Sequence, residues 1–282
     1  MKLLLHAGPM KTGTTAVQTF LNVNQDILQA NGIRFVWLRR SMLEELAAVL
    51  RDSSNYCSVL VASHECLCRR GQTELSDVVS GFEGEIHAWL TARPLRELYP
   101  SLYLQNLKGR SMRTSTYEDF IQEQEQRDRE PDLVNKGQIF NFSYLDCHVA
   151  GAGPRVHWIR YSRTNLLRDV VSLLAGLASI PLSFDSFRPL PVPSGNNPRR
   201  SLHFAVADEA RRLNFRCEAG ELSPQKRQQE LIKLLGQSEH IRSNRLLSEP
   251  ERSLYRSRLD QLDLEINGAF WRQYFSDDRS NC

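Results

Sequence analysis

The residues best placed to do chemistry form the run Gly8-Pro-Met-Lys11-Thr12-Gly13-Thr14-Thr15. It follows a continuous apolar stretch and opens a segment with helical periodicity, and that context gives the letters their meaning. Successive backbone N–H groups in such a loop form a cradle for an anion, and the helix N-terminus adds partial positive charge. Lys11 supplies a full charge. The Thr14 and Thr15 hydroxyls can donate to phosphate-type oxygens. A glycine-rich turn without a ligand is the bland alternative, and a lysine with two threonines at this mouth weighs against it. Displacement at an anionic centre also needs a group to take the proton from the attacking hydroxyl. The stretch Ser63-His64-Glu65, at the end of another apolar run, brings an imidazole and a carboxylate side by side.

The loop differs from that of nucleotide triphosphatases, which reads G-x-x-x-x-G-K-[ST]. Here Thr14 follows Gly13, and the lysine stands two positions before it. No strand ends in an Asp suited to hold magnesium. Both points argue against an ATP- or GTP-hydrolysing enzyme. A phosphotransferase or nucleotide hydrolase on a similar scaffold, and a non-catalytic nucleotide-binding protein, are the competing readings.

The elements that must carry these groups follow from the pattern of apolar residues. Strands are expected at 2–7, 33–37, 58–62, 86–92 and 156–161. Helices are expected at 14–30, 42–50, 96–108, 116–129 and 166–178, the last apolar nearly all round. A Pro-rich stretch from Pro181 to Pro198 reads as a long ordered loop. Helices at about 199–216, 223–235 and 250–275 follow, then a polar tail. Strand–helix alternation implies an α/β fold: three layers, a P-loop-like parallel β-sheet flanked by helices on both faces. The whole chain is read as one domain, residues 1–282. In such sheets ligands bind outside the carboxyl ends of the strands.

Bulk properties set limits on function. The 282 residues carry a net charge of +3, which suits an anionic small ligand and is too weak to argue for nucleic acid. The six cysteines have neither a disulfide framework nor zinc-ligand spacing, so reduced thiols in a cytoplasmic protein are expected. Cys66 and Cys68 are read as structural, and no metal site is expected. The apolar N-terminal run is too short for a signal peptide, and no stretch is suited to span a bilayer.

The stretch His6-Ala-Gly-Pro-Met-Lys-Thr-Gly-Thr-Thr15 resembles the 5'-phosphosulfate loop of the sulfotransferases that use 3'-phosphoadenosine-5'-phosphosulfate (PAPS), whose core is P-K-[ST]-G-T-T. Bacterial members are the more similar. Two departures are Met10, between Pro9 and Lys11, and Ala16, where many cytosolic animal members have a Trp that helps hold the adenine. The family's 3'-phosphate motif has an Arg at a strand end and a Ser eight residues later, and Arg93 and Ser101 match it. Arginine gives phosphate a forked, charge-assisted contact, and serine adds one hydroxyl donor.

The resemblance implies sulfuryl transfer from PAPS, leaving PAP, to the hydroxyl of a small molecule or glycan: a carbohydrate, a glycolipid or a secondary metabolite. Lys11, Thr12, Gly13, Thr14 and Thr15 would bind the donor, with Lys11 also stabilising the leaving phosphate. Glu65 matches the bacterial register for the base, with His64 as runner-up. The stretch from His157 to Arg163 resembles a later strand of the family in which Ser162 replaces a common Glu. The stretch Asn197-Pro-Arg-Arg200-Ser-Leu resembles the entry to a late helix, where Arg199 and Arg200 would close over the 3'-phosphate or simply stand as surface arginines.

Overall fold

The computed structural model describes residues 1–39, 41–52, 57–70, 72–109, 112–131, 139–190, 206–243 and 249–276. Two compact units are present. The first comprises Met1–Arg93, Val134–Pro191 and Asn267–Cys282; the second comprises Pro94–Leu133 and Val192–Ile266.

The first unit holds a five-stranded sheet made of β1 (Lys2–Gly8), β2 (Ile33–Trp37), β3 (Val59–Ser63), β4 (Glu85–Ala92) and β5 (Arg155–Arg160). The spatial order is β2-β3-β1-β4-β5, and every pairing is parallel. All-parallel strands need both faces covered, which is why β1 and β3 read as near-continuous apolar runs. Leu4, Val59, Val61, Ile33, Phe35, Trp89 and Ile159 point to one face. They pack there against Val17, Phe20 and Leu21 of α1 (Thr14–Val23), Leu28 of α2 (Gln25–Ala30), and Val170, Val171 and Leu174 of α8 (Leu166–Ala178).

Alternation along each strand sends Leu3, Leu5, Leu60, Ala62, Ala88 and Leu90 to the opposite face, where all are fully buried. Helices α3 (Met42–Asp52), α4 (Gln72–Val79) and α7 (Phe142–Gly151) pack in succession, and α7 lies against β5. Trp158 of β5 fixes that contact. Its Nε1 donates to Asp146 at 2.8 Å, and its ring meets Phe142 edge-on at 5.6 Å. Buried Asn267 ties the chain leading into α7 by accepting the Phe142 N–H at 2.8 Å and donating to the Phe140 carbonyl at 3.1 Å.

The second unit is helical: α5 (Leu95–Lys108), α6 (Tyr117–Arg129), α9 (Ala207–Glu218), α10 (Pro224–Ser243) and α11 (Glu249–Phe275) as far as Ile266. Thr116 and Asp119 form a reciprocal capping box that starts α6. Buried Asp128 accepts the Tyr99 hydroxyl at 2.6 Å, and Arg96 pairs with Asp260 at 3.1 Å.

Several elements differ from the pattern of the sequence. The expected helix over 14–30 breaks at Asn24, whose buried side chain accepts the Arg188 N–H at 2.7 Å and donates to the Arg188 carbonyl at 3.1 Å. Those bonds draw Asn24 out of helical geometry. Helices α4 and α7 lie in stretches with no assignment from sequence. The helix expected from 199 begins at Ala207 in the described residues. No described helix is long and apolar enough to cross a membrane.

Candidate anion-binding and acid–base site

The site is built at the carboxyl ends of β1, β3, β4 and β5, all in the first unit. The loop between β1 and α1 turns through three left-handed residues, with φ of 95° at Gly8, 67° at Lys11 and 88° at Gly13. A left-handed lysine stores strain of about 1–2 kcal/mol, and such strain gathers at ligand clamps. Glycine at 13 is required twice over. A Cβ there would overlap the Leu166 side chain and lie 3.2 Å from the Tyr161 ring. Glycine at 8 allows a close approach of the Glu65 backbone, since a Cβ would overlap the Glu65 carbonyl oxygen.

Two bonds set the loop's peptide planes. Arg93, at the end of β4, donates from Nη1 to the Lys11 carbonyl at 2.7 Å. Buried Thr12 donates its hydroxyl to the Pro9 carbonyl at 2.5 Å. In a trans peptide the C=O and N–H point opposite ways. Holding the Lys11 carbonyl therefore turns the Thr12 N–H away from Arg93. Gly13 is the N-cap of α1 and supplies no side-chain cap, and the first turn has no acidic residue. The opening N–H groups of a helix lack intrahelical partners. Strained loop, uncapped helix start and fixed cations suit a phosphate or sulfate group.

Charge is arranged around this loop. Burial pushes the Lys11 ammonium below its usual range, Glu65 partly restores it, and neighbouring Arg93 lowers it further. Two cations near each other with one carboxylate favour an anionic ligand between them. Arg93 is also held by the Tyr161 ring, 4.4 Å from its guanidinium carbon. Tyr161 went unassigned from sequence. Its signal was its place directly after β5, at the ligand-binding edge.

Glu65 lies within this cluster. Its Oε2 accepts the Thr14 hydroxyl at 3.2 Å, which joins the candidate base to the helix start. His64 is placed differently. Its Nδ1 accepts the Cys66 N–H at 3.1 Å, so the neutral ring carries its proton on Nε2. Burial lowers its pKa, with Glu65 and Glu45 opposing and Arg70 adding to the effect. The segment is anchored by the His64 N–H donating to the His6 carbonyl at 3.1 Å. Below it lies a buried polar network: Ser63 Oγ sits 2.8 Å from His6 Nδ1 and accepts Gln18 Nε2 at 3.0 Å. The His6 ring stacks on Trp89 at 4.0 Å, and burial holds its pKa down at about 3.

Of the residues expected from sequence, Lys11, Thr12, Gly13, Thr14, Glu65 and Arg93 come together here. Thr15 is exposed on the first turn of α1. Ser101 lies on α5, in the second unit. Arg199 and Arg200 fall outside the described residues. Cys66 and Cys68 lie just beyond Glu65 and are not joined in a disulfide.

No protein-family model matches the sequence, and no curated protein matches it. Two solved structures are similar. One is a sulfotransferase from Alicyclobacillus acidocaldarius, at 12% identity and TM-score 0.46, covering 82% of this chain and 95% of that one. The other is retinol dehydratase in complex with androsterone and inactive cofactor PAP, at 12% identity and TM-score 0.36, covering 94% of this chain and 80% of that one.

Proposed function

We propose that the chain is a PAPS-dependent sulfotransferase acting on an acceptor hydroxyl. The observation that carries this reading is the Lys11 loop. Its left-handed lysine is held by Arg93, and a carboxylate lies one hydrogen bond from its first helical threonine. The loop and the start of α1 hold the 5'-phosphosulfate end of the donor, and Arg93 lends a second fixed positive charge.

The donor supplies a sulfuryl group: its bond to the bridging phosphate oxygen breaks as a bond to the acceptor oxygen forms. Lys11 stabilises the negative charge that grows on that leaving oxygen. Glu65 takes the proton from the attacking hydroxyl, and Thr14 orients the carboxylate that receives it. His64 is the weaker base, because the nitrogen free of a proton is already bonded to a backbone N–H.

The test is the thermal midpoint with saturating PAP and, separately, with ATP–Mg²⁺, for wild type and Lys11→Ala. A ligand at a hundred times its dissociation constant stabilises by about 2.7 kcal/mol, which raises the midpoint by roughly 5–10 °C. The expected result is a PAP-specific shift that shrinks in the Lys11 variant. A shift with ATP–Mg²⁺ and none with PAP replaces this reading with a phosphotransferase.

A further inference from the structure

Trp37 ends β2 with 38% of its surface exposed, while Trp89 is fully buried. Single exposed aromatics on a surface need no explanation. The place of this one does. Trp37 lies opposite Ser63 in the β2–β3 register, and the Leu38 N–H donates to the Ser63 carbonyl at 3.0 Å. Alternation along β2 puts Trp37 on the face of Ile33 and Phe35, which pack under α1. Ser63 faces the same way, since its hydroxyl accepts Gln18 of α1. Glu65 returns to that side to accept the Thr14 hydroxyl. An exposed indole and the candidate base therefore share one face at the carboxyl edge of the sheet. At about 4.8 Å between strands and about 3.3 Å per residue, their Cα atoms stand roughly 8 Å apart, a gap that a monosaccharide-sized group spans.

The turn that follows Trp37 is polar. Glu45 accepts the Arg39 N–H at 2.7 Å and the Ser41 hydroxyl at 2.9 Å, which orders the turn after β2. Half-buried His64 follows Ser63. An apolar acceptor such as a steroid or phenol calls for an enclosed apolar pocket. A sugar ring calls for one aromatic plane beneath its C–H face and polar groups around its hydroxyls, which is the pairing an exposed indole followed by a polar turn offers.

We infer that Trp37 is the platform on which the acceptor stacks, and that the acceptor is a carbohydrate whose ring hydroxyl is presented to Glu65. The inference rests on the sulfuryl-transfer reading for the identity of the second substrate. The full chain, fluorescently labelled, is applied to a printed array of oligosaccharides with and without saturating PAP, as wild type, Trp37→Ala and Trp37→Phe. 2-Naphthol and 4-nitrophenol binding are measured by calorimetry on the same proteins.

The expected result is capture of glycans by the PAP-loaded wild type, weakened about tenfold in Trp37→Ala and largely kept in Trp37→Phe. PAP affinity should be equal in all three. No glycan captured by the PAP-loaded wild type overturns the inference. So does capture indifferent to the alanine change, or Trp37-dependent binding of the phenols in place of glycans. Trp37-dependent glycan capture by a protein that does not bind PAP sustains the platform and removes the sulfuryl-transfer reading instead.

Discussion

Replacing Gly8 with alanine tests the close approach on which the site depends. At φ of 95°, an added Cβ overlaps the Glu65 carbonyl oxygen and lies 3.0 Å from its carbonyl carbon. The obstacle is backbone, so no side chain can swing aside. Left-handed geometry costs about 1–2 kcal/mol for a residue with a Cβ, and forcing packed backbone apart adds about 1–3 kcal/mol. The Gly8→Ala variant should therefore lose about 2–5 kcal/mol. Gly153 separates the two causes, since its φ is 107° with nothing within 4 Å of an added Cβ, and Gly153→Ala should lose only the backbone part. Gly81 has open space and no such φ, so Gly81→Ala should be neutral or stabilising by up to about 1 kcal/mol. Urea denaturation of the three variants gives the ordering. Because the displaced atoms belong to Glu65, kcat should fall in Gly8→Ala beyond what the unfolded fraction explains. If Gly8→Ala unfolds at the same midpoint as Gly153→Ala and keeps full activity, the close packing of loop and base segment is wrong.

Two further expectations concern protons. Glu65→Gln should nearly abolish turnover while PAP affinity stays at the wild-type value, and His64→Ala should keep most of its activity; the opposite pattern in single-turnover assays transfers the base to His64. Buried His6 is held at about 3 against 6.5 when exposed, so between these values the unfolded chain binds a proton that the native chain refuses. Its contribution to stability is fully present above about pH 6.5 and is lost as pH falls toward 3, with a slope approaching about 1.4 kcal/mol per pH unit. His6→Gln should flatten the pH dependence of the urea midpoint in that window, and parallel curves for the two proteins contradict the burial argument.

The central strands and the loop were legible because their signals are local. An apolar run, two glycines, a lysine and a threonine pair sit within fifteen residues, and strand alternation and helix periodicity did the rest. What escaped depends on partners far along the chain. The break at Asn24 exists because Arg188, 164 residues away, takes both functions of its amide. Tyr161 acquires its role only when β5 aligns beside β4 and brings the ring over Arg93. The preference for Glu65 over His64 rested on the register of the resemblance alone, since the residues are adjacent. The Cys66 N–H, which occupies one imidazole nitrogen, adds a geometric ground that no spacing carries. Helix α7 had a readable cap in Asn141, which accepts the Tyr144 N–H at 3.0 Å. Its ten residues were too few for periodicity to stand out.

The packing of Leu166 and Tyr161 against Gly13 has a bearing on how the protein is made. The loop of residues 8–15 precedes its own walls along the chain, since those come from residues 63–65, 93 and 161–166. The first strand stands at the centre of the sheet and must wait for β3 and β4 on either side. Parallel pairings of this kind form late, because long stretches of chain must close before the contacts reward it. A nascent chain that stops short of α8 therefore carries the loop's sequence without its shape. Binding capacity should arrive in a single step during synthesis, when the strand after residue 155 and the helix behind it dock.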